Sequence, residues 1–463
     1  MKKKPNIVFI GVDSLRRSRM SLYGYSRLTT PHISDYFKDG IVFENCFSPS
    51  IPTTPGYASM LTGMDCFGTN VVALRHQGPL AEGVKNLPTV LKENGYTTTA
   101  IGYNCPISVG CDNYLEYPVS WGSWSAGRSA KAESMNSVAL PELERLAKQD
   151  KPFMLFMRHM DPHSPYLPPE PFSRMFYQGD EFDKENKSLE RCYKFKPFRD
   201  YFCSWFPPHC TDAEYVNAQY DGAAAYLDSC LSQIFTKIAD LGIEEETIVI
   251  LTSDHGETLN EHECYYDHHG LYDCTLVVPF AIRYKGHLPE GKRFSEFCQL
   301  KDIMPTLLDI IGIKSGIKFD GQSMMNLVYN TGKFAEEPEM YITEATWERK
   351  HGWRTPEWKL IRALEPDFHY REDVELYNLI KDPGENNNVA KENPEIVAAL
   401  TKRLEKHLKK REKATKRTAP IYTNATTWNG IGRPFESSDE AYSKMHIGNP
   451  EDARKLQILD DDE

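Results

Sequence analysis

Several things are missing from this sequence, and each absence closes off a class of protein. No run of about 18 consecutive apolar residues occurs, so nothing reads as a membrane-spanning helix. No Cys-x-x-Cys pair occurs among the 11 cysteines. An odd number of scattered cysteines in a chain too long for a disulfide scaffold reads as reduced thiols. A basic excess is also missing: 54 Lys and Arg face 66 Asp and Glu, a net charge of −12, which argues against a nucleic-acid polymer as partner. The lysines of "MKKKPNIVFIGVDSLRR" precede only the short apolar stretch from Ile7 to Val12, a strand and not a signal sequence. Together these point to a cytoplasmic protein with no membrane partner. No internal repeat is visible.

What is present is alternation. Four apolar runs, "NIVFIGVD" (6–13), "TTTAIGY" (97–103), "PFMLFMRHM" (152–160) and "TIVILTSD" (247–254), have the pattern of strands buried on both faces. Helical stretches separate them, among them "LPTVLKENGY" (87–96) and "DAEYVNAQYDGAAAYLDSCLSQIFTKIADLG" (212–242). The alternation predicts an α/β fold, a large mostly parallel sheet with helices on both faces, within a catalytic domain over 1–338. The segment 176–211 is aromatic and charged without a period and reads as an insertion or lid. Short strands in "MYITEATW", "WKLIRA" and "VELYNLI", then the helix "NPEIVAALTKRLEKHLKKREK", predict a small C-terminal α+β subdomain over 339–411. The polar tail 412–463 is expected to wrap a neighbouring subunit of a homo-oligomer or to be partly disordered.

Ligands in such folds gather at the carboxyl ends of the strands. Those ends carry Asp13, Tyr103 with Asn104, then His159, Asp161 and His163, and finally Asp254 with His255; His268 and His269 follow in "DHHGLYD". A carboxylate beside an imidazole suits a divalent transition metal. The stretch "SPSIPTTPGYASMLTGM" (48–64) adds Thr53 and Thr54, set before Pro55 where a helix begins. A helix N-terminus favours anions. Either threonine is an ordinary N-cap, or Thr53 is a nucleophile aimed at a phosphate- or sulfate-like group.

These residues carry a resemblance to the sulfatase family of the alkaline phosphatase superfamily. "NIVFIGVDSLRRSRMSLYGY" resembles its opening strand and loop, "TPGYASMLTG" its nucleophile helix, "DPHSPY" its mid-chain histidine motif and "TIVILTSDHGE" its metal strand. Later landmarks, including "HHGLYDCTLVVPFAI", "DIMPTLLDIIGI" and "DGQSMMNLV", follow in order, so that the match covers about 5–408. The departures are informative. Family members carry Cys-x-Pro-Ser-Arg, with the cysteine converted to formylglycine; aligning Pro55 puts Thr53 at the cysteine, Gly56 at the serine and Tyr57 at the arginine. The lysine and histidine usual after the "AIG" strand are missing, and the first-strand carboxylate pair is reduced to Asp13 followed by Ser14. Threonine at this position is similar to the nucleotide pyrophosphatase/phosphodiesterase branch.

The resemblance implies that Asp13, Asp254, His255 and the Thr53 oxygen bind a divalent metal. One carboxylate fewer, with His255 kept, shifts the preference from calcium towards manganese or zinc. It further implies that His163 holds or protonates the leaving-group oxygen. His268 falls at the spacing of the anion-binding lysine, four before Tyr272, with His269 a second candidate for that role. Tyr103 and Asn104 are expected to touch substrate. A second metal is an open alternative, held by Asp161, His163 and His269. The expected function is hydrolysis of a small-molecule phosphate diester or phosphonate monoester through a covalent phospho-enzyme, because a threonine sulfate lacks the elimination route of a formylglycine hydrate. The alternatives are a sulfatase that uses Thr53 directly and a degenerate binding protein.

Overall fold

A computed structural model of the chain describes residues 4–424 except 75, 77–78, 103–109, 120–127, 195–202, 204, 332–333, 347–348 and 366–370. Tyr103 and Asn104 therefore lie outside the described residues. In chain order the strands are β1 (Asn6–Val12), β2 (Ile41–Phe47), β3 (Ser50–Ile51), β4 (Thr97–Ile101), β5 (Asn113–Leu115), β6 (Phe153–His159) and β7 (Thr247–Ser253). They continue with β8 (Val277–Arg283), β9 (Lys292–Gln299), β10 (Met340–Ala345), β11 (Arg349–Arg354), β12 (Trp358–Ala363) and β13 (Val374–Asn378).

Eight of these form one sheet in the order β5-β4-β6-β1-β7-β8-β2-β9. Strands β5, β4, β6, β1 and β7 run parallel, as the apolar runs of β4, β6, β1 and β7 predict; the short β5 had no such signal. Strand β8 runs against both its neighbours. The two-residue side-chain period then decides which face each group serves. Ile7 and Phe9 pack on one face with Tyr57 and Met60, while Val8, Ile10 and Val12 pack on the other with Met135 and Leu227. The first face is covered by α1 (Thr53–Thr62), α2 (Leu87–Glu93) and, later in the chain, residues 303–308. The second is covered by α3 (Lys131–Ala147) and α4 (Ala213–Asp240). The sheet is thus buried on both sides, as expected for this α/β class.

The described parts of 176–211 do not stand free of the body. Tyr177, Leu189, Cys192, Trp205 and Phe206 pack with Tyr166, Tyr215, Tyr220 and Tyr266 in a third apolar cluster beside the start of α4. The smaller sheet has the order β13-β12-β11-β10-β3. Its last member comes from the other end of the chain, with Ser50 and Ile51 paired in parallel with Thr343 and Glu344. Helix α5 (Pro394–Thr415) lies against this sheet through Leu400, Leu404 and Leu408, followed by the short α6 (Pro420–Thr423). Residues 412–424 correct the expectation for the start of the tail. Ala419 and Ile421 are fully buried in the chain's own small-sheet cluster, and the Val72 amide donates to Asn424 Oδ1. The polar letters of this stretch hide two apolar side chains that suffice to dock it.

Candidate active site

The site is built where β1, β6 and β7 end and α1 begins. Asp13, Arg158 and Asp254 lie on the α1 face, since each sits an even number of residues beyond a side chain of that face, Arg158 opposite Gly11. Asp254 Oδ1 accepts the amides of Ser14 (3.3 Å) and His255 (3.0 Å), and its Oδ2 has no hydrogen-bond partner. His255 Nδ1 lies 2.7 Å from the Gly256 carbonyl, so it must donate, and Nε2 presents a lone pair. That lone pair is 3.5 Å from Asp13 Oδ1, 3.5 Å from Asp254 Oδ2 and 3.2 Å from Thr53 Oγ1. Two carboxylate oxygens and an imidazole lone pair that face one another fully buried repel unless a proton or a cation sits there. The donor set therefore fits a divalent metal.

Helix α1 delivers Thr53 to this point. The helix starts at Thr53 itself, after Pro52, and no side chain caps it. The hydroxyls of the two threonines part company: Thr53 faces His255, whereas Thr54 donates to the Leu74 carbonyl. Neither is the N-cap that the sequence leaves open. Gly56 sets how near the helix can come, because a Cβ there would meet the Asp254 carbonyl oxygen at 2.5 Å. Tyr57 slides under the first strand, 3.0 Å from where a Gly11 Cβ would be.

Two further groups surround the ligands. The Arg158 guanidinium clasps Asp13 Oδ2 and lies over the Tyr57 ring at 5.6 Å. Burial works to raise the Asp13 carboxyl, but the Arg158 guanidinium is the largest influence against it, and Asp13 is held well below the usual carboxylate range. Asp254, buried beside Asp13, is pushed up to about 7. His163 donates from Nδ1 to the Ser164 carbonyl (2.6 Å), which leaves Nε2 as an acceptor 4.0 Å from Asp13 Oδ1. Burial lowers its pKa, which favours the neutral imidazole with a lone pair on Nε2.

His268 joins the site, its ring 5.0 Å from that of His255 and 5.3 Å from that of His163, and burial keeps it neutral. His269 turns away. Its Nε2 pairs with Asp267 Oδ2 at 2.7 Å and its Nδ1 lies 3.5 Å from Glu344 Oε1; burial opposes its charge, but these two carboxylates raise its pKa to about 9. Asp161 is absent from the site as well: it accepts the Ala132 amide at the start of α3 and pairs with Lys131 at 3.5 Å. The alternative second-metal set of Asp161, His163 and His269 is not brought together. A different set is, comprising Glu257, Asp267 and His268, all buried with ligand atoms within 4.8 Å of one another.

Sequence reasoning missed Arg158, Glu257, Asp267 and Glu344. Arg158 had a signal, being the one cation in an otherwise apolar run at the end of a doubly buried strand. Glu257 and Asp267 stood in quoted stretches but next to more conspicuous histidines. Glu344, which also accepts the Gly270 amide at 3.0 Å, reaches in from β10 and had none.

Comparison with known proteins shows the family. Residues 5–313 match the sulfatase family, and residues 260–414 match the C-terminal region of N-sulphoglucosamine sulphohydrolase. The chain belongs to the sulfatase family. It is therefore an ester hydrolase of a family that uses a divalent metal. An arylsulfatase of Clostridium perfringens is 25% identical, covering 88% of this chain and 95% of its own. An N-acetylglucosamine-6-O-sulfatase of Bacteroides thetaiotaomicron is 24% identical over 84% of this chain and 83% of its own. Among solved structures, the phosphonate monoester hydrolase of Agrobacterium radiobacter superposes with a TM-score of 0.71 at 21% identity, covering 88% of this chain and 96% of that one. The fold is shared across sulfatases and phosphonate hydrolases alike.

Proposed function

We propose that this sulfatase-family hydrolase cleaves phosphate diesters or phosphonate monoesters with Thr53 as nucleophile, through a phosphothreonine. The observation that carries this is Thr53 Oγ1 at 3.2 Å from His255 Nε2, in the same buried group as Asp13 and Asp254. A divalent ion held by these four residues, manganese or zinc by its mixed oxygen and nitrogen donors, supplies Lewis acidity that acidifies a hydroxyl and offsets charge on phosphoryl oxygens.

The chain's own residues account for the rest. Thr53 Oγ1 bonds to phosphorus as the bond to the leaving oxygen breaks; water then attacks phosphorus and returns the threonine. In the first step the hydroxyl loses one proton and the leaving alkoxide gains one. His163, neutral and with its ring 5.3 Å from that of His268, can take up and hand on that proton. Arg158, bound to Asp13 on the same face, is a cation within reach of the site for a singly charged ester. A threonine sulfate would need slow attack at sulfur, which disfavours the sulfate reading even though named relatives are sulfatases.

The test compares kcat/KM for an aryl phosphodiester, a phosphonate monoester, a phosphomonoester and the matching sulfate on one preparation. The first two are expected to exceed the sulfate at least about tenfold, roughly 1.4 kcal/mol in the barrier. A preference for sulfate, with Thr53 unmodified by mass spectrometry, overturns the phosphoryl reading in favour of a sulfatase.

A further inference from the structure

The group formed by Glu257, Asp267 and His268 carries an inference independent of which ester is cleaved. The local chain is built to bring the two carboxylates together. The Gly256 amide donates to the Thr275 carbonyl at 2.7 Å, and the Thr258 amide to the Asp267 carbonyl at 2.9 Å, so residue 257 is held against residue 267. A side chain at Gly256 would meet the Cys274 carbonyl at 2.0 Å, so that this crossing tolerates only glycine. His268 Nδ1 lies 3.0 Å from Asp267 Oδ1 and 3.9 Å from Glu257 Oε1, separations that ligands of one ion adopt. His269 and Glu344 fix Asp267 from behind, as outer groups orient a metal ligand.

A second observation points into the same space. Glu257 is fully buried, with the Tyr166 and Ser14 hydroxyls near it but neither of its carboxylate oxygens in a well-formed hydrogen bond. A buried carboxylate left without well-formed hydrogen bonds beside a second carboxylate is costly for any structure to keep. Charge argues the same way. Asp13, Asp254, Glu257 and Asp267 are all buried here, and Arg158 is the guanidinium bound to them, while the charge of His269 is matched by Glu344. With all four carboxylates ionised, as ligands of metal would be, a single divalent ion leaves this group net negative and unfavourable to an anionic ester. With two it becomes net positive.

We propose that Glu257, Asp267 and His268 bind a second divalent transition ion beside the one at Asp13, Asp254 and His255, making the centre dinuclear. The test measures manganese bound per chain by equilibrium dialysis of the purified full-length protein against MnCl2, with circular dichroism as the check on folding. The wild type is expected to hold two ions, and Glu257→Gln and His268→Ala one each. Asp254→Asn, which cripples the other site, should keep one. Two variants on the new site allow the result to be read on whichever folds. One ion in the wild type and none in Asp254→Asn would leave the first site standing and overturn the second. Two ions retained in a folded Glu257→Gln would also overturn it.

Discussion

At the scale of single residues, the two adjacent threonines make the sharpest comparison, because the fold gives them different work. Thr53→Ala removes the hydroxyl that faces His255 and should cut turnover on the order of 10³-fold or more, with the fold intact. Thr54→Ala removes a bond to the Leu74 carbonyl and should cost about 1 kcal/mol of stability with little effect on kcat. Steady-state rates and urea midpoints on both variants decide it, and a dead Thr54→Ala beside an active Thr53→Ala would reverse the assignment. Local pattern alone could not separate the pair, since both precede a proline at a helix start, and only the resemblance, by aligning Pro55, singled out Thr53. What separates them is the one-residue rotation of about 100° around the helix, which only matters once His255 is known to stand on one side.

At the scale of elements, the approach of α1 to the end of β7 makes the site. Gly56→Ala inserts a methyl 2.5 Å from the Asp254 carbonyl, backbone against backbone, so the helix must retreat. The expected outcome is a fall in stability of about 1–3 kcal/mol together with loss of bound metal, read by urea unfolding and elemental analysis. A stable variant with full metal content would show that the contact is slack. The loops after β1 and β7 are tied again by Arg16 and Glu261 at 2.9 Å. Burial works to raise the Glu261 carboxyl, but Arg16 outweighs it and brings it down to about 2. A lowered carboxylate pKa stabilises the fold above its unfolded value of about 4.5, and that stabilisation is lost as the pH falls to about 2. Allowing for solvent screening of a partly exposed pair, it amounts to about 1–2 kcal/mol. The stability gap between wild type and Glu261→Gln should therefore close across that window, and a gap that stays constant would assign the difference elsewhere. The parallel strands were legible because β1, β4, β6 and β7 are apolar on both faces. The direction of β8 was not, since an antiparallel strand inside a covered sheet has the same composition.

At the scale of the whole molecule, the small sheet reaches the edge of the candidate site. Strand β3 pairs with β10 two residues before Thr53, and Glu344 on β10 supports His269 and the Gly270 amide. None of this could be read from the sequence, where Ser50 and Glu344 stand almost 300 residues apart with no pattern linking them. The last turn of the described chain completes the arrangement by burying Ile421 against the small-sheet cluster. Ile421→Ala removes a fully buried aliphatic side chain and leaves a cavity, at a cost of about 2–5 kcal/mol. If β3 is held by the small sheet, that loss must reach Thr53. The urea midpoint for activity should then fall in step with the midpoint for the small sheet, followed by the fluorescence of Trp353 and Trp358 with the other tryptophans replaced by phenylalanine in the same background. Activity that outlasts the small-sheet transition would mean that the main sheet positions Thr53 unaided.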